Sequence, residues 1–210
     1  MTGTVTIGVL PTIAPYLLPD IIQEFLTKYP GIEIIVQEDT TERLLRQAVN
    51  LEVDLVVASH PVHDKRLEIM PLLTEELLLA VPPKHRLAAK RTLEPADLQG
   101  ERLIVMQAGH CLGDQVLRFC DRQEVRAQIA FRSAQLETIQ SLVSSGVGIS
   151  LVPAMARQES RSGTPAYRSM QSPRPSREII AVWPRQRPLS RGAAELLRMI
   201  SRKAAKTKGR

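Results

Sequence analysis

Cys111 and Cys120 are the only two thiols in a chain of 210 residues, and both fall in Gly109-His110-Cys111-Leu112-Gly113-Asp114-Gln115-Val116-Leu117-Arg118-Phe119-Cys120. Thiolates are nucleophiles, and two thiols in one short segment are the raw material of a reversible two-electron oxidation. If the segment after Cys111 is helical, nine steps raise Cys120 by about 13 Å and turn it about half a revolution away. A disulfide needs Cα atoms within about 7 Å, so joining the two thiols requires the intervening turns to unwind. That is the makings of a redox switch. The same spacing suits two unrelated buried thiols that merely pack, and spacing alone leaves both readings open.

A free thiol is only a few per cent ionised near neutrality, so a reactive cysteine needs activation. Cys111 is expected just ahead of a helix running from about Asp114 to Arg122, where unpaired N–H groups favour an anion. His110 can supply a proton or a positive charge, or be an ordinary loop residue. Cys120, beside Phe119, reads equally as a small apolar packing group. His60, His63 and His85 have no ligand-like spacing, and two cysteines are too few for a structural zinc site, so no metal and no cofactor is assigned.

The elements that must hold these residues form an alternating series. Thr4 to Leu10, Ile32 to Val36 and Val53 to Ala58 read as strands. Between them lie a helix opening at Pro11-Thr12, with a stripe of Leu17, Leu18, Ile21, Ile22, Phe25 and Leu26, and a second helix opened by an Asp39/Glu42 capping signal. Such a βαβαβ series implies a parallel sheet whose ligands gather at the carboxyl ends of its strands, where Thr12 and Thr41 both fall. Either threonine also reads as a helix-start residue satisfying backbone donors. A second series follows: strands at Leu77 to Val81, Leu103 to Met106, Ala127 to Phe131 and Gly148 to Val152, a loop over 107–113, and a helix over Gln135 to Ser145 capped by Gly146. Gln158 to Ser176 reads as a long polar loop. Ile179 to Trp183 and a helix from about Leu189 close the chain. The pattern predicts two α/β units with a cleft between them.

Composition narrows the class. The apolar share of 43% supports a packed core, no run reaches the roughly 20 apolar residues of a membrane span, and no secretory signal is read at the start. A soluble, cytoplasmic protein is expected, in which a disulfide would be transient. The net charge of +6 is concentrated in 157–191 and in the tail 198–210, which reads as a solvated end. Aromatic residues are 3%, too few for a base-stacking surface, and no DNA-reading helix pair is found.

At this point the residues match a family. Val9-Leu10-Pro11-Thr12-Ile13-Ala14-Pro15-Tyr16-Leu17-Leu18-Pro19 and Gly146-Val147-Gly148-Ile149-Ser150-Leu151-Val152-Pro153 resemble the effector-binding domain of LysR-type transcriptional regulators. The cysteine segment narrows the resemblance to the OxyR-type hydrogen peroxide sensors. It implies two Rossmann-like subdomains, periplasmic-binding-protein-like, joined by two crossover strands. The expected division is 1–75 plus 179–210 for the first and 76–178, with the cysteines, for the second. It implies that peroxide oxidises Cys111, that Cys120 resolves it as a disulfide, and that His110, Thr12, Thr41 and Arg177 form a polar pocket around Cys111. On composition alone, Arg177 would be a solvated charge in a basic loop.

The resemblance further implies a homo-dimer or tetramer, a cytosolic thiol reductant of the glutaredoxin or thioredoxin type, no membrane partner and no enzyme activity. Family members begin with a winged helix-turn-helix that Met1 does not leave room for, so DNA contact is expected only through that missing domain. Ala14 stands where the family often has glycine. The alternatives are a LysR-type domain that binds a small organic effector in its cleft with incidental cysteines, a cysteine peroxidase, and a solute-binding protein.

Overall fold

The structure, a computed structural model, describes residues 1–207 other than 160 and 162. Residues 208–210 of the basic tail, and Ser160 and Ser162 of the polar stretch, lie outside the described residues. The chain divides into two compact units, Met1–Glu75 with Glu178–Arg210, and Glu76–Arg177.

In chain order the first unit supplies β1 (Gly3–Val9), α1 (Ala14–Lys28), β2 (Ile32–Glu38), α2 (Thr41–Val49) and β3 (Leu55–Ser59). β4 (Leu67–Val81) then passes into the second unit, which holds β5 (Arg102–Met106), α3 (Cys111–Arg122), β6 (Gln128–Ser133), α4 (Leu136–Ser144), β7 (Ser150–Pro153) and β8 (Ala166–Arg168). β9 (Ser176–Pro184) returns to the first unit, which α5 (Arg191–Thr207) completes.

In the first unit β1 is central, parallel to β2 with Val9 opposite Glu38 and parallel to β3 with Val9 opposite Val57. β9 extends the sheet antiparallel beyond β3, with Val182 opposite Val56. The second unit repeats the arrangement. β5 lies parallel to β6, and a parallel bridge between Leu103 and Ile149 sets the approach to β7 on its other side. β7 pairs antiparallel with β4, which also carries β8.

Apolar spacing explains the helices. On α1 the buried residues Leu17, Leu18, Ile21 and Phe25 recur at helical intervals. Leu26, expected on that stripe, is 38% exposed because it falls one step off the face that Phe25 buries. The helix starts at Ala14 rather than at Pro11-Thr12: the N–H groups of Ile13 and Ala14 both donate to Leu10 O, making a turn first. The Asp39/Glu42 capping box does not form either. Thr40 is the N-cap, Asp39 Oδ1 accepts the Thr40 N–H at 2.7 Å, and Glu42 pairs with Arg46 at 2.8 Å.

Three further expectations are corrected. β4 begins at Leu67, ten residues before the expected strand, and runs through Pro71, a residue that cannot donate to a sheet ladder. Ala166–Arg168 is a strand inside the polar stretch, held by Tyr167 Oη, which donates to the buried Gln140 Oε1, and by the Arg168 guanidinium, which donates to Ala88 O. The tail is not simply solvated: Arg198 binds Glu195, Arg202 binds Glu24, and Lys203 lies 2.7 Å from Asp20, which ties α5 to α1.

Among the described residues no helix is long and apolar enough to cross a membrane, and no group of three or more His, Cys, Asp or Glu could hold a metal ion.

Candidate functional site

The carboxyl end of β5 is where the chemistry of the second unit collects. After Met106 the chain turns through Gln107–His110. Gln107 N–H donates to Ser133 O of β6 at 2.9 Å, and Gly109 takes a φ of +91° that a side chain would strain. His110 is the N-cap of α3, in extended conformation and with no capping side-chain bond. Cys111 is therefore the first residue of α3 itself, three positions earlier than the helix start expected from the sequence. A first-turn residue lies where the positive end of the helix dipole acts most strongly, although the Gly113 N–H of this turn already donates to His110 O at 3.0 Å.

Cys111 is half-buried and Cys120 is buried, and both are thiols with no disulfide between them. The buried face of α3 is Leu112, Gly113, Val116 and Cys120. Nine helical steps put Cys111 about 13 Å along the axis and about half a turn from Cys120. Burial pushes the Cys120 thiol up from its ordinary range, and the neighbouring Asp121 carboxylate adds to the effect. Cys120 is thus held as a neutral, inaccessible thiol while α3 is intact.

Gly113 went unrecognised in the sequence, although a glycine between two cysteines on a helix was the signal. A Cβ built on it would lie 2.5 Å from Met106 O, well inside contact distance. The absent side chain lets the first turn of α3 rest on the end of β5.

Arg177 is the last residue of the second unit and stands at the start of β9. It is 2% exposed, so the reading of a solvated charge in a basic loop is overturned: the loop ends before it, and the strand carries it inside.

Thr12 and Thr41 belong to the first unit, each three residues past the end of a strand, β1 and β2, whose last residues are opposite one another. Neither is a helix cap. Thr12 is buried in the turn before α1, whose N-cap is Ile13. Thr41 is the first residue of α2, and its Oγ1 is a buried atom with no hydrogen-bond partner. A buried hydroxyl without a partner costs stability. The six residues thus fall in two sets: His110, Cys111, Cys120 and Arg177 in the second unit, and Thr12 and Thr41 in the first.

A cavity of about 740 Å³ in the second unit lies away from this chemistry, lined among others by Lys84, His85, Ser145, Arg161 and Arg168. Its polar side chains are largely engaged: Arg161 with Glu159, Arg168 with Ala88 O, and His85 3.4 Å from Glu101. The cysteine helix contributes nothing to it.

The family model described as the LysR substrate binding domain matches residues 1–205, and the chain belongs to that family. Its relatives are transcriptional regulators. The DNA-binding transcriptional dual regulator OxyR of Escherichia coli (strain K12) is 35% identical over 185 residues, covering 87% of this chain and 60% of that protein. The hydrogen peroxide-inducible genes activator of Pectobacterium carotovorum subsp. carotovorum is 34% identical over 199 residues, 94% of this chain and 65% of that protein. The chain spans less than two thirds of the length of these relatives. Among solved structures, the oxidized form of OxyR is 33% identical with a TM-score of 0.84, covering 99% of this chain and 98% of that one. The reduced form is 32% identical with a TM-score of 0.84, covering 96% of each.

Proposed function

We propose that this chain is the peroxide-sensing regulatory domain of a LysR-type transcriptional regulator. The observation that carries the reading is a half-buried thiol, Cys111, in the first turn of a helix whose tenth residue is a second, sequestered thiol. The similarity to peroxide-inducible activators supports it.

The chemistry has two steps. The Cys111 thiolate attacks one oxygen of hydrogen peroxide, the O–O bond breaks, and hydroxide leaves as water after taking a proton, which gives Cys111 sulfenic acid. The Cys120 thiolate then attacks the sulfenic sulfur, water is lost, and a disulfide forms. A dithiol reductant of the glutaredoxin or thioredoxin type returns both thiols and is itself oxidised. In this reading His110 and Arg177 supply proton and positive charge to the departing oxygen.

The domain works as a homo-dimer or tetramer in the cytoplasm, and the reaction is signalling rather than turnover. DNA is bound by the portion of the regulator that this chain does not span, and the rearranged α3 changes that grip. Intact and peptide mass spectrometry after one equivalent of peroxide tests the reading. A Cys111–Cys120 disulfide is expected in the parent, and a sulfenic acid on Cys111 is expected in Cys120→Ser. Unmodified thiols under these conditions overturn it, as does a regulator lacking both cysteines that still responds to peroxide.

A further inference from the structure

Gly113 lies on the buried face of α3 with Val116 and Cys120, two residues beyond Cys111. Its Cβ position is blocked not by a movable side chain but by backbone: Met106 O at 2.5 Å and Met106 C at 3.2 Å. Met106 ends β5 and is itself buried, and the β5–β6 pairing extends to Met106 opposite Ser133, so that carbonyl has little freedom to retreat. Any side chain at 113 must therefore lift the first turn of α3 away from the strand. That turn contains Cys111 and the N–H groups that act on it. Glycine is a poor helix former relative to alanine, a disadvantage that a helix with no need of this close approach would not carry.

We infer that Gly113 is a positioning residue for Cys111: it seats the cysteine turn against the Met106 carbonyl and so sets the reactivity of the thiol. The inference builds on the peroxide-sensing reading, but its geometry concerns the thiol itself and is read with a reagent other than peroxide. Without the seat, the turn frays, its N–H groups bind water, and they stabilise the Cys111 thiolate less.

The test is the rate of iodoacetamide alkylation of Cys111 against pH, measured in the 210-residue chain in a Cys120→Ser background that leaves one thiol. Gly113→Ala should displace the profile toward higher pH and slow alkylation near neutrality by about threefold or more, equivalent to half a unit in the apparent titration midpoint. Arg118→Ala, an exposed substitution on the same helix, should leave the profile in place. If Gly113→Ala alone does not fold, Gly113→Ala/Val116→Ala supplies the measurement: shortening the next side chain on the buried face lets the body of α3 move in, and the displaced profile should persist. A profile that overlays the parent in a folded Gly113→Ala or double variant overturns the inference. Peroxide separates the two ideas: a parent Cys111 inert to peroxide sinks the sensing reading, and the alkylation comparison still decides the role of Gly113.

Discussion

Cys111 and Cys120 stand on opposite sides of one helix, the first at its N-terminal turn and half-buried, the second on the face that packs into the core. Nine helical steps keep their sulfurs far beyond bonding reach. Disulfide formation therefore requires α3 to open, with the loss of several backbone hydrogen bonds worth about 1 kcal/mol each. Amide exchange should accelerate across Leu112 to Arg122 in the oxidised protein and change little in α1. Equal protection of α3 in both redox forms would contradict the switch.

Thr41→Val should leave the fold intact or strengthen it. The Thr41 Oγ1 is buried and has no hydrogen-bond partner, so replacing the hydroxyl by a methyl group removes a desolvated polar atom. Thermal melting should show stability unchanged or raised by up to about 1 kcal/mol.

Arg177→Ala should do the reverse and weaken the fold. At 2% exposure its guanidinium has been taken out of water, and removal of the side chain leaves its buried surroundings uncompensated. A loss of about 2 kcal/mol or more in denaturant unfolding is expected. Retention of full stability would mean that the buried charge makes no contribution to the fold.

Acid should loosen the α1–α5 contact through Glu195. Hydrogen bonds from Arg198, and then from Lys28 and Tyr29, hold its carboxyl down from the ordinary 4.5 to about 2. The folded value is the lower one, so this contribution to stability is complete above pH 4.5 and is lost as the pH falls toward 2. In acid titration followed by circular dichroism, Glu195→Gln should show a shallower loss of stability than the parent between these values.

The alternating β-branched strands and the stripes on the helices were legible in the sequence because periodicity reports burial directly. The same was true of Gly146, which takes a left-handed φ of +82° after α4, and of the two cysteines. The start of α3 was misplaced because Gly109 and Gly113 read locally as loop, while a tertiary contact with Met106 O gives Gly113 its reason to be helical. The first half of β4 was not read as a strand at all: Leu67–Glu76 mixes apolar and charged residues with Pro71 and shows no strict alternation. Arg177 was misread on composition because Arg174 and the serines around it signal solvent, and only its place at the start of β9 reveals its burial. Thr12 and Thr41 were located correctly past strand ends, but that the N-caps are Ile13 and Thr40 is a matter of backbone geometry that no spacing encodes.

The interruption of the first unit by the second has a consequence for how the chain acquires its structure. Glu76–Arg177 is one continuous stretch, whereas the first unit is assembled from two pieces of chain separated by that entire stretch. The pairing of Val56 with Val182 closes a loop that contains all of the second unit, and the entropy of such a closure rises with the logarithm of the loop's length. If the second unit collapses first, the loop is shortened before it closes. The order of events should then run from the cysteine-bearing unit outward, with β9 and α5 docking last.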